Sequence, residues 1–315
     1  MRLNRVLALA LVTLCLIAAL GNWLGGSVSK SKAQGSANVA QINVYGVISD
    51  EASGGPFSSG EGANANKLIS NIKKAREDDG IKAILLRINS PGGTAAASQA
   101  VYEELMRTRK DTDIKIVASL GDVAASGGYY IASAADHIVA NPSSITGSIG
   151  VIVQTQNVTS LLDKIGVQTS TIKSGPLKDI LSPFRETKPE ERKILQSVVD
   201  ESYQQFLDAI VAGRGMSLEK LKPLADGRIY TGTQAKDNKL VDSLGNYYDA
   251  LDKTAELANI SGDPKVKDFG KGSLFGDFGP FLSTSNQSFP QLTTEWLSSK
   301  SQWPRWHKIP LTIME

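Results

Sequence analysis

One serine stands in a run of small residues, Gly121-Asp-Val-Ala-Ala-Ser126-Gly127-Gly128-Tyr129-Tyr130, where an apolar strand gives way to an apolar helix. A hydroxyl at that junction lies beside backbone N–H groups that lack intrahelical partners and can hold a developing oxyanion. Glycines on its C-terminal side leave room for a substrate to approach. The chemistry that fits is acyl transfer to a nucleophilic serine. The same residues also suit a serine N-cap opening a glycine-rich helix, and this stretch alone leaves both open.

A nucleophilic serine needs a proton acceptor. The chain holds two histidines: His137 in a strand-like stretch, Asp136 to Ala140, and His307 in a Trp/Pro-rich tail. Neither placement suggests a Ser-His-Asp triad. The Gly-x-Ser-x-Gly pattern is missing around Ser126, so the nucleophile elbow of an α/β-hydrolase is not expected either. A lysine base remains, and the segment from Thr171 to Phe184 offers Lys173 and Lys178. A free lysine titrates near about 10.4, so neutrality near pH 7 takes roughly 3 units, about 4 kcal/mol of desolvation or cationic neighbours. Pro176, Leu177, Ile180 and Leu181 are expected to dry that site; the alternative for either lysine is a solvated surface charge.

Periodicity places these residues in a series of alternating strands and helices of the α/β class. Strands are expected at 41–48, 81–88, 114–120, 137–140, 149–153 and 168–173, and helices at 66–78, 94–109, 126–134, 235–244 and 247–257. A short helix is expected to end at 165. Pro91-Gly92-Gly93 follows one apolar strand and precedes a helix, where glycine admits close approach of a ligand. Residues 189–213 predict a helix of six or seven turns that packs on a neighbouring protomer. Ser217-Leu-Glu-Lys220 matches Ser-x-x-Lys but lacks the partner motifs of penicillin-binding proteins, and suits a helix N-cap.

With 34 basic and 32 acidic residues among 315, the chain lacks the basic excess of a nucleic-acid binder. Arg2 and Arg5 precede an apolar run from Val6 to Leu24 that is long enough for one membrane crossing with the body exported. A cleaved secretory signal is the rival reading, with the same export. Cys15, the one cysteine, lies inside this run, so no intrachain disulfide is possible. Residues 25–41 suit a flexible tether. No Cys/His cluster has metal-ligand spacing, and neither metal nor cofactor is expected. Beyond Gly262 the pattern decays into a tail containing Trp296, Trp303 and Trp306, where a membrane interface and a docked or disordered tail compete as readings.

Taken together, Ile88-Asn-Ser-Pro91-Gly92-Gly93, the Ser126 segment, Ile145-Thr-Gly-Ser148-Ile-Gly-Val151, the stretch from Lys173 to Pro183, and Asp226-Gly-Arg-Ile-Tyr-Thr-Gly232 resemble the SppA-type signal peptide peptidases. The resemblance runs from about Val39 to Asn259. It implies a crotonase/ClpP-like fold of repeated ββα units behind an N-terminal transmembrane helix. The expected divisions are 1–25 (anchor), 26–40 (linker), 41–260 (protease domain) and 261–315 (low-order tail).

By the same resemblance Ser126 is the nucleophile and Lys178 the general base, with Lys173 as the competing choice. Ser148 orients the lysine, and the backbone of Gly93 and Gly127 forms the oxyanion hole. The partners implied are peptides with small or apolar side chains, the membrane of a prokaryote with the catalytic domain outside the cytoplasm, and copies of the chain itself. A ring, such as an octamer, would share each dyad between protomers. The competing classes are a crotonase-type acyl-CoA enzyme, disfavoured by export and by lysine in place of carboxylates, and a silent scaffold, disfavoured by Ser126, Lys178 and Ser148 together.

Overall fold

The computed structural model describes residues 37–50 and 62–270. In chain order these form β1 (Val39–Tyr45), β2 (Ile48–Ser49), β3 (Ala63–Asn64), α1 (Ala65–Glu77), β4 (Ala83–Ser90), α2 (Ala95–Asp111), β5 (Lys115–Ala125), α3 (Gly127–Ala132), β6 (His137–Ala140) and β7 (Ile145–Gly147). Then follow α4 (Thr159–Lys164), α5 (Pro189–Arg214), α6 (Leu218–Leu221), β8 (Ile229–Thr231), α7 (Gly232–Asp237), β9 (Ser243–Leu244), α8 (Tyr247–Leu257) and β10 (Val266–Asp268).

Side-chain alternation along the strands decides the layering. Ile42, Val44, Ile84, Leu86, Ile88, Ile116 and Leu120 join one large core with Leu68 and Ile72 of α1, Val101 and Leu105 of α2, and Tyr129 of α3. Val39, Leu85, Val117 and Val139 face the other way, onto Ala250, Tyr247 and Leu251 of α8. Strand β4 is thus buried on both faces from Ala83 to Leu86, as expected of a parallel strand covered by helices on each side. The main path of the sheet, β10-β1-β4-β5-β6-β9, is parallel throughout.

Strand β5 changes partner along its length. Val117 to Leu120 pair with β6, whereas Val123 to Ala125 pair with β7, which in turn pairs antiparallel with β8. The sheet therefore splits at the C-terminal end of β5, and the opening is where the chain turns into α3. The C-terminal half of α5 packs behind that turn: Tyr130 stacks on Phe206 with centroids 4.6 Å apart, and Tyr102 meets Tyr130 edge-on at 5.3 Å. Such aromatic pairs contribute roughly 0.5–1.5 kcal/mol each beyond burial. The Tyr102 hydroxyl donates to Ala209 O (2.8 Å), fixing the register of the two helices.

The structure corrects several sequence expectations. Residues 149–153 and 168–173 alternate like strands but have no strand partner; Ile172 is fully exposed and Ile152 nearly so. A ladder needs a second strand, and no described residue supplies one. The helix expected at 235–244 is the shorter α7, followed by β9. Past Gly262 the order continues: Val266 to Asp268 pair with Val39 to Gln41 as an edge strand, too short to leave a periodic signature. The expected apolar anchor 6–24, most of the linker, Cys15, His307 and the tryptophans at 296, 303 and 306 lie outside the described residues. Among the described residues no helix is long and apolar enough to cross a membrane.

Candidate active site

Ser126 is the hinge between β5 and α3, with φ 52° and ψ −120°. A non-glycine residue there is strained, because its Cβ crowds the backbone, and such strain persists only where the surroundings hold it. Its amide donates to Gly147 O (2.8 Å) and its carbonyl accepts from the Tyr130 amide (2.9 Å), so the turn is fixed from both sides. This is the sharp strand-turn-helix geometry that the missing Gly-x-Ser-x-Gly pattern argued against. The pattern serves to keep neighbours small at two positions either side of the serine, and Ala124 and Gly128 meet the same need here. A Cβ on Gly128 would stand 3.0 Å from Ser90 O.

The turn 91–93 lies directly against Ser126. A Cβ on Gly92 would come within 2.8 Å of both Gly127 N and the Ser126 Cβ, and one on Gly93 within 1.9 Å of Ile48 O. Glycine is required at 93 because α2 and β2 meet there: Ile48 N donates to Gly92 O (2.9 Å) and Thr94 N to Ile48 O (2.9 Å). Those bonds leave out the Gly93 amide. Neither the Gly93 N–H nor the Gly127 N–H has an acceptor among the described residues, although both residues are tightly packed. Two unpaired donors flanking one strained serine can hold an oxyanion.

Two adjoining cavities open on Ser126. One, of about 210 Å³, is lined by Gly93, Ser98, Gly127, Tyr130, Ile152 and Phe206 besides Ser126 itself. The other, of about 570 Å³, contains Ser148, Ile149, Val199, Tyr203 and Asp226. Ser148 has φ 50° and its amide donates to Arg228 O (2.8 Å), so the structure brings Ser126 and Ser148 to one cleft. The stretch from Gly150 to Ile152 borders both cavities; its unpaired backbone is the segment that alternation marked as a strand. Tyr130, Phe206 and Tyr203 were not among the expected site residues. Tyr130 is four residues after Ser126, hence one helical turn away, while the α5 residues carry no local signal.

No lysine lines either Ser126 cavity. Lys178 is exposed on a turn stabilised by Lys178 N to Gly175 O (3.2 Å) and Ser182 N to Asp179 O (3.0 Å), and its side chain has no partner among the described residues. The drying by Pro176, Leu177, Ile180 and Leu181 is therefore not achieved within one chain: Pro176 and Leu181 are themselves exposed. Lys173, the competing choice, is engaged by Asp179 at 2.6 Å. His137 pairs with Ser243 Oγ (2.9 Å) on the β6–β9 side of the sheet, and burial pushes its imidazole below the ordinary value.

The turn bearing Lys178 is acid-sensitive by design of its contacts. Hydrogen bonds from Arg185, then from Lys173, hold the Asp179 carboxyl well below its usual range, and hydrogen bonding from Arg185 takes Glu191 down to about 2. A carboxylate whose folded-state value is depressed contributes stability above its unfolded value and loses it as pH falls through the folded one. Between the ordinary 4.5 of Glu191 and about 2, the turn should loosen. Hydrogen exchange at the Lys178, Ile180 and Ser182 amides should accelerate across that window relative to β4 and β5; uniform behaviour of turn and sheet would refute the assignment.

Comparisons with known proteins give the family of the chain. Peptidase family S49 matches residues 108–261, and the Clp protease family matches residues 43–160. The chain is 46% identical over 225 residues to a putative protease of Synechocystis sp., covering 71% of this chain and 76% of that one. It is 42% identical over 214 residues to a putative signal peptide peptidase SppA of Enterococcus faecium (68% and 62%), and 36% identical over 267 residues to Protease 4 of Salmonella typhi (82% and 42%). The chain thus spans under two thirds of the Enterococcus protein and under half of Protease 4. The chain, an α/β sheet of ClpP-like type with a strained serine between two unpaired amides, belongs to the serine-type peptidases of family S49.

Proposed function

We propose that this peptidase is a membrane-tethered endopeptidase of a prokaryote that degrades cleaved signal peptides outside the cytoplasm. Ser126 is its nucleophile and Lys178 of an adjacent protomer its base. The observation that carries the reading is the pairing of a strained Ser126 with two unpartnered amides, Gly93 and Gly127. The membrane and substrate parts rest on the apolar run from Val6 to Leu24 and on the name of the Enterococcus relative.

The neutral Lys178 amine takes the Ser126 hydroxyl proton as Oγ adds to the scissile carbonyl carbon. The carbonyl oxygen becomes an oxyanion accepting from the Gly93 and Gly127 N–H groups. Collapse breaks the C–N bond, and the lysine ammonium returns its proton to the leaving amine, giving an acyl-enzyme. Water then attacks the ester by the reverse use of the same groups, releasing the acid and restoring Ser126 and the neutral amine. Ser148, in the same cleft, orients the incoming lysine. The substrate backbone pairs with the unpaired stretch 150–153, a strand completed by its ligand. The cavity walled by Tyr130, Ile152 and Phe206 takes an apolar side chain.

Labelling the assembled protein with a fluorophosphonate probe and mapping the adduct tests the nucleophile: the label should sit on Ser126, and a label elsewhere overturns the reading. The oxyanion hole is tested by Gly93→Ala. Its methyl would meet a backbone carbonyl that cannot swing away, so the turn must open and carry the 93 amide off target. Loss of one such donor lowers kcat by roughly 10²–10³, with KM less affected; a kcat within about threefold of wild type would remove Gly93 from the site.

A further inference from the structure

The turn carrying Lys178 is clamped by four charges of alternating sign. Lys173 Nζ donates to Pro176 O (3.1 Å) and to Asp179 Oδ1 (2.6 Å), gripping the backbone two residues before Lys178 and the carboxylate one residue after it. Arg185 occupies the same carboxylate, with Nε to Oδ2 at 2.8 Å and Nη2 to Oδ1 at 2.7 Å, and Nη2 also reaches Asp179 O at 3.1 Å. The guanidinium then bridges to Glu191 at the head of α5, with Nη1 to Oε2 at 2.8 Å and Nη2 to Oε1 at 2.5 Å. Glu191 is fully buried and accepts in addition from the Lys188 amide (2.9 Å). Two cations and two anions cancel, and Lys178 stands among them without joining.

A carboxylate beside a lysine favours the ammonium, yet a lysine serving as base must be neutral. Asp179, the next residue in the chain, is the group best placed to keep Lys178 charged, and both of its oxygens are taken. The other charged residues that follow the turn along the chain are Glu186, Lys188, Glu190, Arg192 and Lys193, around the start of α5. On the cleft side are Asp200 and Asp226, the latter held by Arg228 Nε at 2.7 Å. We propose that Lys173 and Arg185 are positioning residues for Lys178. They fix the turn that presents it and withhold the Asp179 charge from it, so that it reaches the neighbouring Ser126 as a free amine. The proposal rests on the reading of Lys178 as the base.

The test is the pH dependence of kcat/KM for the full-chain oligomer, comparing wild type with Lys173→Met, Lys173→Gln, Lys173→Arg and Lys178→Ala. Lys173 lies on an exposed arm, so its variants leave the sheet core untouched, and the size of the oligomer checks assembly. Lys173→Met and Lys173→Gln should both lose about tenfold at pH 7 and converge on wild type toward about pH 10, because with one cation gone the cluster of Asp179, Arg185 and Glu191 carries a net negative charge beside Lys178 and favours its ammonium form. Lys173→Arg should follow wild type. Glutamine keeps a donor for Pro176 O, so equal displacement in the Met and Gln variants assigns the effect to charge. A loss that is the same at every pH marks a merely structural tie and overturns the proposal, as does no loss at all. If Lys178→Ala is inactive at every pH while the Lys173 variants show no displacement, the base reading stands alone. If Lys178→Ala stays active, the base reading falls and takes the proposal with it.

Discussion

Replacing Ser126 with glycine is expected to abolish peptide hydrolysis and at the same time raise the melting temperature. Removing a nucleophile that acts as a unit with its base costs roughly 10⁴-fold or more in kcat. The stability gain follows from the backbone. At φ 52° and ψ −120°, serine holds a conformation that glycine adopts freely. Releasing that strain returns roughly 1–3 kcal/mol, while the added freedom of the unfolded chain takes back about 0.5–1 kcal/mol. The remainder of about 1 kcal/mol raises Tm by roughly 2–4 °C for a domain of this size. Ser126→Ala should be equally inactive but without the gain, since alanine keeps the Cβ. Calorimetry of the three chains measures the difference. A glycine variant less stable than the alanine variant would show that the turn is not strained, and wild-type turnover in either would remove Ser126 from the mechanism.

Mixing inactive Ser126→Ala with inactive Lys178→Ala should restore activity. The cavities around Ser126 contain no lysine from the same chain, and Lys178 sits on an exposed arm. A site that borrows its base from the next subunit is then complete only where an intact serine meets an intact lysine. With equal amounts and free exchange in a closed ring, each subunit draws its neighbour at random, so about a quarter of the interfaces qualify and about a quarter of wild-type activity returns. A dyad within one chain predicts none. Verified mixed oligomers with no recovered activity would end the shared-site reading while leaving Ser126 as nucleophile.

The parts of the fold legible in the sequence were those whose signal is local. Strand β6, helices α5 and α8, and the positions of β4, β5 and α2 follow from apolar periodicity within a few residues. The Ser126 turn was legible as small residues between a strand and a helix, though its backbone strain was not, because the familiar five-residue pattern is one of several ways to keep neighbours small. Residues 149–153 and 168–173 misled for a physical reason: alternation reports that a segment can pair, and says nothing of whether its partner is in the same chain. The exposure of Lys178 within a single chain was not legible either. Its motif was visible, but the Arg185, Asp179 and Glu191 contacts around it, and the meeting of Tyr130 with Phe206 across 76 positions, are long-range or charge-based and leave no period to read.

The parallel sheet has a direction, and that direction sets a reach. Ser126 and the turn at Gly93 stand at the C-terminal ends of their strands, whereas the chain enters the sheet at Val39, at the opposite end of β1. A strand of seven residues separates the two ends by about 20 Å, at roughly 3.3 Å per residue. Whatever holds the residues before Val39 therefore holds the domain by its far pole. Under the membrane attachment proposed above, the cleft lies beyond the point of entry by this fixed depth. On that proposal an attachment at Val39 faces the membrane with one end of the sheet and turns the serine, the glycine turn and both cavities away from it.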